Sequence, residues 1–320
     1  APLRRRPPTA DALLELLASP NLHSRAFVFR RYDHLVQSRT VRRPGLDAAV
    51  LRLRPSYRGL AVSLDGQGRL AWLDPFGGGA RAVLEAARNV ACAGGEPLGV
   101  TDCLNFGNPE KPEVGWELAE AIEGMAQACE ALGIPVVSGN VSLYNDTDGV
   151  SIHPTPVVGC VGLVPDVRRV PGAWREGDAI LLAAAGPVSL AGSEYQARFG
   201  ETSGRPPGLD LAAEAALVGA LWRAAPRCSL VHDAAEGGLA VALAEAAVHS
   251  GLGAELDLAD DPVALFGEGG GRAILALPAE QIEVDPTGDG GWFRRIGTVG
   301  GDRLFGVAVA ELAAVREAVS

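Results

Sequence analysis

Short apolar runs alternate with longer amphipathic stretches through the first half of the chain, a pattern typical of an α/β fold. Four runs rich in Ala, Val, Leu and Ile have strand length, at residues 48–53, 59–64, 97–102 and 134–138. Before them, Thr9 is suited to cap a short helix that Pro20 ends. After the second strand, Asp65-Gly66 and Gly68 predict a hairpin-type turn.

Two amphipathic helices are predicted among these strands. One spans about residues 80–93 and stops at Gly94-Gly95, and the other spans about residues 116–132. Gly133 suits a left-handed cap for the second helix, and Pro135 prevents its continuation. The strand–helix–strand order brings the ends of the flanking strands to one edge of a sheet, where α/β proteins bind ligands.

The second half of the chain repeats the α/β pattern after charge and proline interrupt the apolar runs near residue 170. Strands are predicted at 179–183, 273–277 and 305–309, and helices at about 211–225 and 239–249. We therefore expect a linker and short helix over 1–30, a first α/β domain over 31–170 and a second over 171–320.

Composition narrows the class of protein. The chain has 320 residues and a net charge of −11, which argues against a duplex nucleic-acid surface. No apolar run approaches the roughly 18 residues of a membrane helix. The five cysteines lack C-x-x-C spacing and favour buried thiols in a reducing cytoplasm. Lys111 is the only lysine, so a phosphate-binding lysine has one candidate.

Two polar segments are placed where predicted strands end. The first is Thr101-Asp-Cys-Leu-Asn-Phe-Gly-Asn-Pro-Glu110, and the second is Ser138-Gly-Asn-Val-Ser-Leu-Tyr-Asn145. They combine carboxylate, amide and hydroxyl oxygens, which suit Mg²⁺, with glycines that let backbone N–H groups approach a phosphate. The pattern predicts a nucleotide site. Asp102 and Asn105 could instead hydrogen-bond within their own turns.

These two segments resemble the second half of the phosphoribosylformylglycinamidine synthase subunit II (PurL) family. The resemblance continues in shorter matches from about residue 10 to the C-terminus: Tyr32-Asp-His34, Pro44–Val50, Arg88-Asn-Val-Ala91, Pro154-Thr-Pro156, Gly192-Ser-Glu-Tyr195, His232-Asp233, Glu236-Gly-Gly-Leu239 and Leu265-Phe-Gly-Glu268. It implies a PurM-like N-terminal domain followed by a PurM-like C-terminal α/β domain. The chain would be one of two related halves.

The activity that this resemblance implies is an ATP-dependent C–N ligation in purine synthesis. Formylglycinamide ribonucleotide, ATP and glutamine-derived ammonia would give formylglycinamidine ribonucleotide in the cytoplasm. The implied partners are the first half of the same polypeptide, a glutaminase subunit (PurQ) and a small accessory subunit (PurS). The implied cofactors are ATP and Mg²⁺.

The resemblance also assigns site residues one by one. Asp102 and Gly139 match ATP-contacting positions, Asn140 matches a magnesium ligand, and Ser142 matches a position that contacts the ribonucleotide. The catalytic histidine of the family belongs to the first half, so no catalytic residue is assigned here. We expect the chain alone to be inactive.

Three other motifs are weaker candidates. The glycines of the Gly267–Arg272 loop resemble those of a phosphate-binding loop, but a strand follows the loop instead of a helix. Gly269-Gly270 also replaces the Ser-Gln pair of the family. Both observations favour a plain glycine turn. His232-Asp233 could be an acid–base pair, although a helix-start role is favoured. His153 is interpreted as a packed loop histidine.

Two alternative functions stay open at this point. The chain could be a complete enzyme of the same superfamily, such as aminoimidazole ribonucleotide synthetase, thiamine-monophosphate kinase or selenophosphate synthetase. It could also be a non-catalytic nucleotide-holding module, for which the altered Gly269-Gly270 loop is the clue. The predicted strands of the first domain are more apolar than one helix layer requires, so a homodimer of the chain is also expected.

Overall fold

The computed structural model describes residues 3–281 and 293–318. The α-helices are α1 (Thr9–Leu17), α2 (Ala26–Phe29), α3 (Gly68–Leu73), α4 (Pro75–Cys92), α5 (Pro112–Leu132), α6 (Glu194–Phe199), α7 (Leu211–Ala224), α8 (Gly238–Ser250), α9 (Pro262–Phe266) and α10 (Val309–Glu317). The strands are β1 (Thr40–Arg42), β2 (Ala49–Arg52), β3 (Gly59–Asp65), β4 (Glu96–Asn105), β5 (Val136–Ser142), β6 (Asp146–Thr147), β7 (Val150–Ser151), β8 (Thr155–Val164), β9 (Asp178–Ala184), β10 (Val188–Ser189), β11 (Leu230–Asp233), β12 (Ala254–Leu256), β13 (Glu268–Gly269), β14 (Arg272–Pro278), β15 (Phe293–Val299), β16 (Arg303–Leu304) and β17 (Val307–Ala308). In this part of the chain, no helix is long and apolar enough to cross a membrane.

The first large sheet has the strand order β1-β2-β3-β8-β4-β5. Its neighbours pair antiparallel except β4 and β5, which are parallel and joined by α5. Helix α4 lies on one face, where the Ser63 hydroxyl donates to the Ala86 carbonyl (2.8 Å). Helix α5 packs directly on α4 because both carry glycines at the contact, so an added Cβ at Gly79 or Gly124 would meet the other helix's backbone.

The second sheet has the order β11-β14-β9-β15-β12 and is antiparallel throughout. One hydrophobic core joins the two sheets through α4 and α7, with Val83, Leu217 and Leu275 among its fully buried residues. A second core lies on the other face of this sheet, beneath α1, α6, α8 and α10. Helix α4 is buried on nearly every side, because it is covered by the first sheet, α5 and the second half of the chain.

The α/β fold class is confirmed, and several element boundaries differ from the predictions. Asp65-Gly66 does not form a hairpin turn, because β3 is followed by α3 and pairs with the distant β8. Helix α4 begins at Pro75 rather than near residue 80, since Asp74 accepts a hydrogen bond from the Gly77 amide (3.1 Å) and starts it. The left-handed cap at Gly133 is confirmed, with φ of 68°.

Two further predictions were wrong at the chain ends. The predicted strand at 305–309 is reduced to the two-residue β17, and α10 begins at Val309. Thr9 does not cap α1: it is the first helical residue, and the residue before it, Pro8, makes no side-chain cap. Proline pre-sets the backbone but has no side-chain acceptor, so the helix starts without a capping hydrogen bond.

Candidate functional site

The two polar segments lie side by side within the strands β4 and β5. The parallel register places Asp102 opposite Gly139, Cys103 opposite Asn140, and Asn105 opposite Ser142. The predicted strands ended at residues 102 and 138, which was too early: β4 continues to Asn105 and β5 to Ser142. The motifs are therefore held by a continuous ladder of backbone hydrogen bonds, and β5 is the outermost strand of the sheet.

The register also divides the motif residues between the two faces of the sheet, because side chains alternate along a strand. Asp102 lies on the face that carries α5. Its carboxylate oxygens would be 2.7 and 2.9 Å from a Cβ added at Gly139. Glycine at this position therefore keeps the carboxylate accessible from the free edge of β5. Partial burial raises the pKa of Asp102 above its ordinary value.

Asn140 and Ser142 lie on the opposite, open face. The Asn140 amide is 3.6 Å from the Cys103 sulfur across the strand pair. The Ser142 hydroxyl accepts a hydrogen bond from the Asn145 side chain (3.1 Å). A ligand that lies along the edge of β5 can contact both faces, so the carboxylate, the amide and the hydroxyl are within reach of one molecule.

Two asparagines hold the segments together rather than pointing to a ligand. Asn145 donates to the Phe106 carbonyl (3.1 Å) and to the Ser142 carbonyl (3.0 Å), which ties the end of the second segment to the first. Asn105 donates to the carbonyls of Cys103 and Thr155, so it bonds its own segment as the turn-bonding interpretation predicted. Within the described residues, the Asp102 side chain makes no hydrogen bond to its own turn.

The single lysine anchors the loop beside this edge. The Lys111 ammonium donates to the Asp146 carboxylate (2.8 Å) and the Ser151 hydroxyl (3.1 Å), which fastens the β6–β7 hairpin to the start of α5. This ion pair lowers the pKa of Asp146. Lys111 is thus a loop anchor in this structure.

The Gly267–Arg272 loop is filled by the protein's own side chains. The Glu268 carboxylate accepts from the backbone N–H groups of Glu194 (2.8 Å) and Gly237 (2.7 Å). The Arg81 guanidinium donates to the Gly269 carbonyl (3.0 Å). A cavity of only about 20 Å³ remains beside the loop, which is water-sized. The glycine-turn interpretation fits this packing, because no space is left for a substrate.

His232 and Asp233 do not start a helix, contrary to the favoured interpretation. They end strand β11, and α8 begins at Gly238 after Gly237. The His232 ring contacts Asp47 (Nδ1–Oδ1 2.8 Å) and Glu245 (Nε2–Oε2 3.2 Å). Although burial lowers its pKa, these two carboxylates raise it to about 10. The imidazole is therefore charged near neutral pH and unsuited to accept a proton.

His153 is an exposed loop residue whose ring packs against Trp72, with the ring centroids 5.0 Å apart.

The sequence analysis missed an acidic cavity of about 330 Å³ between the two sheets. Asp65, Glu85, Asp233 and Glu236 line it, together with Asn89. Burial, then mutual repulsion, raises the pKa of Asp65 and Glu85 well above the ordinary range and that of Glu236 to about 7. The Glu85–Asn89 spacing of four on α4 was a readable signal, because it places both side chains on one helix face.

No group of three His, Cys, Asp or Glu side chains stands ready to hold a metal ion within residues 3–281 and 293–318. The open face of β5 offers one amide oxygen, from Asn140, while the Asp102 carboxylate lies on the other face. This single donor fits Mg²⁺ in part, since Mg²⁺ fills most of its shell with water and phosphate oxygens.

Two family models together match about four fifths of the chain. Residues 45–164 match "AIR synthase related protein, N-terminal domain", and residues 175–309 match "AIR synthase related protein, C-terminal domain". The chain belongs to the AIR synthase related family. This confirms the PurM-like pair of domains expected from the motifs.

Named members of this family include close relatives of the chain. The phosphoribosylformylglycinamidine synthase subunit PurL of Moorella thermoacetica is 52% identical over 290 residues, covering 87% of this chain and 39% of that protein. Among solved structures, T. maritima PurL complexed with AMPPCP has 28% identity and a TM-score of 0.62, covering 87% of this chain and 42% of that one. The PurLQS structure from Thermotoga maritima matches with 27% identity and a TM-score of 0.62, covering 86% of this chain and 41% of that one. The chain thus spans about two fifths of the length of these AIR synthase related proteins.

Proposed function

We propose that this chain forms one half of a phosphoribosylformylglycinamidine synthase and supplies the β4–β5 edge of its active site. The observation that carries the proposal is the register of the two motifs. It sets Asp102 beside Gly139 on one face, and Asn140 and Ser142 on the other, at a free sheet edge. The identity to PurL subunits over most of the chain supports the assignment.

The proposed reaction couples ATP cleavage to amidine formation. The γ-phosphoryl group passes from ATP to the amide oxygen of formylglycinamide ribonucleotide, which gives ADP and an iminophosphate. Ammonia then attacks the carbon of that group, and phosphate leaves with the oxygen. This chain's part is to bind and orient the reactants, which catalyses by positioning.

Each edge residue has a role that its geometry permits. Asp102 is accessible over Gly139 and would accept hydrogen bonds from the nucleotide. The Ser142 hydroxyl accepts from the Asn145 amide nitrogen (3.1 Å) and donates over 3.5 Å to the Asn145 amide oxygen. It would exchange this second, longer contact for a ribonucleotide oxygen. Mg²⁺, when bound, supplies charge that neutralises the phosphates, and the Asn140 oxygen would be one of its ligands.

The remaining assignments rest on the same proposal. The partners would be the complementary half of the polypeptide, a glutaminase and a small accessory subunit, and the setting would be the cytoplasm. The PurLQS structure from Thermotoga maritima is consistent with a multi-subunit assembly. We also propose the domain limits 31–170 and 171–320. The first sheet's last strand ends at Val164, and the second sheet's first strand begins at Asp178.

Substitution of the edge residues tests the site. In an enzyme that contains both halves, Asp102→Ala and Asn140→Ala should each lower kcat/KM for ATP·Mg²⁺ by about ten- to hundredfold. The reason is that one contact to a charged group is worth roughly 1.5–3 kcal/mol. The measurement is steady-state kinetics with ATP and Mg²⁺ varied separately.

A matched control lies in a nearby loop. Asp148 has the same side-chain type as Asp102 but lies in the β6–β7 turn, so Asp148→Ala should leave kcat/KM within about twofold of the wild type. If the two edge variants kept wild-type kinetics while substitutions in the Gly267–Arg272 loop did not, the site would have to be moved to that loop.

The open face of the first sheet indicates an assembly surface. Ala61 and Ser63 face α4, so Val62 and Leu64 point the other way, and Val161 pairs with Val62 on that side. Their exposed fractions are 40%, 72% and 40% for Val62, Leu64 and Val161. An apolar sheet face of this kind is usually covered by another element or subunit. We propose that the complementary half covers it, and that a second copy does so when the chain is alone.

The chain alone should therefore form a two-fold homodimer that buries more than about 1,200 Å². Leu64→Glu places a charge in this face and should give a monomer in sedimentation equilibrium at micromolar concentration. Val263→Glu is a matched control, because Val263 is 40% exposed on α9, away from the sheet. A compact wild-type monomer at the same concentration would rule the dimer out.

A further inference from the structure

A second cavity, of about 600 Å³, lies between the β1–β2 region and helices α8 and α10. Phe29, Val41, Leu46, Val170 and Val248 form its apolar walls. It adjoins the acidic cavity, because seven residues, among them Leu46, Glu245 and Arg316, line both. None of the residues that line it belongs to the β4–β5 edge, so it is separate from the proposed site.

Two arginines that line this cavity each have a buried guanidinium nitrogen that makes no hydrogen bond within the described residues. The two atoms are Arg42 Nη1 and Arg316 Nε. The Arg42 side chain is only 9% exposed, and its other terminal nitrogen binds Asp47 Oδ2 (2.6 Å). Arg316 likewise uses Nη2 for Glu245 Oε1 (2.7 Å). Leaving a buried donor unpaired is costly, so these nitrogens indicate a missing acceptor.

The charges that face the cavity are mostly positive. Arg30, Arg43 and His249 join Arg42, Arg316 and His34 on its lining, and Glu245 and Glu317 are the acidic residues there. Glu245 is already shared between His232 and Arg316. Burial, and then the positive charge of Arg42, lowers the pKa of His249. This is a local positive field in a chain of net charge −11.

We propose that this cavity binds an organic phosphate monoester. The phosphate oxygens would accept from Arg42 and Arg316, whose buried nitrogens would turn toward the cavity, since arginine geometry and charge suit phosphate. The volume is several times that of a phosphate ion, and the apolar walls would hold the organic part. Because the cavity joins the segment before β2 to α8 and α10, its occupant would bridge the two halves of the fold.

Binding of phenyl phosphate, measured by calorimetry on the whole chain at constant ionic strength, tests this proposal. The wild type should bind it saturably, and should bind inorganic phosphate and phenol at least tenfold more weakly. Arg316→Gln and Arg42→Gln should each weaken phenyl phosphate binding about tenfold, the loss expected for one charge-assisted hydrogen bond. Arg316→Lys keeps the charge and should lose less than Arg316→Gln.

Two controls keep the result separate from the proposed enzymatic function. Ser142→Ala alters the strand-edge site and should leave phenyl phosphate binding unchanged, as should Arg205→Gln on the exposed surface. Substitutions at two positions, Arg316→Gln and Arg42→Gln, are used so that one poorly folded variant does not decide the test. Binding that is absent in the wild type, equal in all variants, or no tighter than that of inorganic phosphate would overturn the proposal.

Discussion

Supplied with ATP, Mg²⁺, ammonia and formylglycinamide ribonucleotide, the purified 320-residue chain should form no formylglycinamidine ribonucleotide. Two described residues that could move a proton or hold a phosphate already have partners. His232 is charged between two carboxylates, and Lys111 is bonded to Asp146 and Ser151. In the proposed enzyme the β4–β5 edge positions the reactants, and the catalytic histidine that the family resemblance implies would come from the other half.

Addition of the complementary half should restore turnover, because that half would supply the missing base and cover the open sheet face. A coupled assay for ADP, together with chromatographic detection of the amidine, measures both products of the reaction. The complementary half should restore essentially all of the turnover, since removal of a general base and of phosphate contacts lowers rates by several orders of magnitude. Sustained turnover by the chain alone would show that it contains a complete active site.

The parts of the fold that depend on local sequence could be predicted. Local neighbours determine the left-handed cap at Gly133, the amphipathic pattern of α5 and the apolar segments of strand length. Hydrophobic periodicity and turn chemistry therefore predict these features. Helix α4 was predicted five residues short at its start. Its first turn is Pro-Phe-Gly-Gly-Gly, where glycines serve close packing against α3 and α5 although they disfavour a helix.

The parts that depend on long-range pairing could not be predicted. The separation of Asp102 and Asn140 onto opposite faces follows from the β4–β5 register, which includes an irregularity between Val100 and Thr101. A shift of one residue would reverse the faces, and no local pattern fixes it. The acidic cavity unites Asp65 with Asp233, which are 168 residues apart in the sequence. The family resemblance predicts which residues form the site, and only the structure shows how those residues are arranged.

Replacement of Arg88 by Met should destabilise the chain by about 3–5 kcal/mol, the usual cost of removing one partner of a buried ion pair. Arg88 on α4 binds Asp233 on β11 through two nitrogens, one of them Nη2 at 3.2 Å, and its Nη1 lies 3.6 Å from Glu214 on α7. All three side chains are at most 7% exposed. Although burial lowers the pKa of Arg88, Asp233 raises it further, so the guanidinium stays charged.

The destabilisation has a specific physical cause that a second variant can isolate. Without Arg88, the buried carboxylates of Asp233 and Glu214 lose their counter-charge, next to the acidic cavity where Asp65 and Glu85 already repel other carboxylates. Arg88→Met combined with Asp233→Asn removes one of these charges and should recover part of the lost stability. Urea unfolding followed by circular dichroism measures the free energy of unfolding for each variant.

Arg4→Met is the matched control, because Arg4 also pairs with a carboxylate, Glu201 at 2.7 Å, but both side chains are more than 70% exposed. That pair is solvated and screened, so its loss should leave the free energy of unfolding within experimental error. Equal effects of Arg4→Met and Arg88→Met would mean that burial does not set the strength of these contacts. In that case α4 would be held between the two sheets by apolar packing alone, and Arg88 would have no part in joining them.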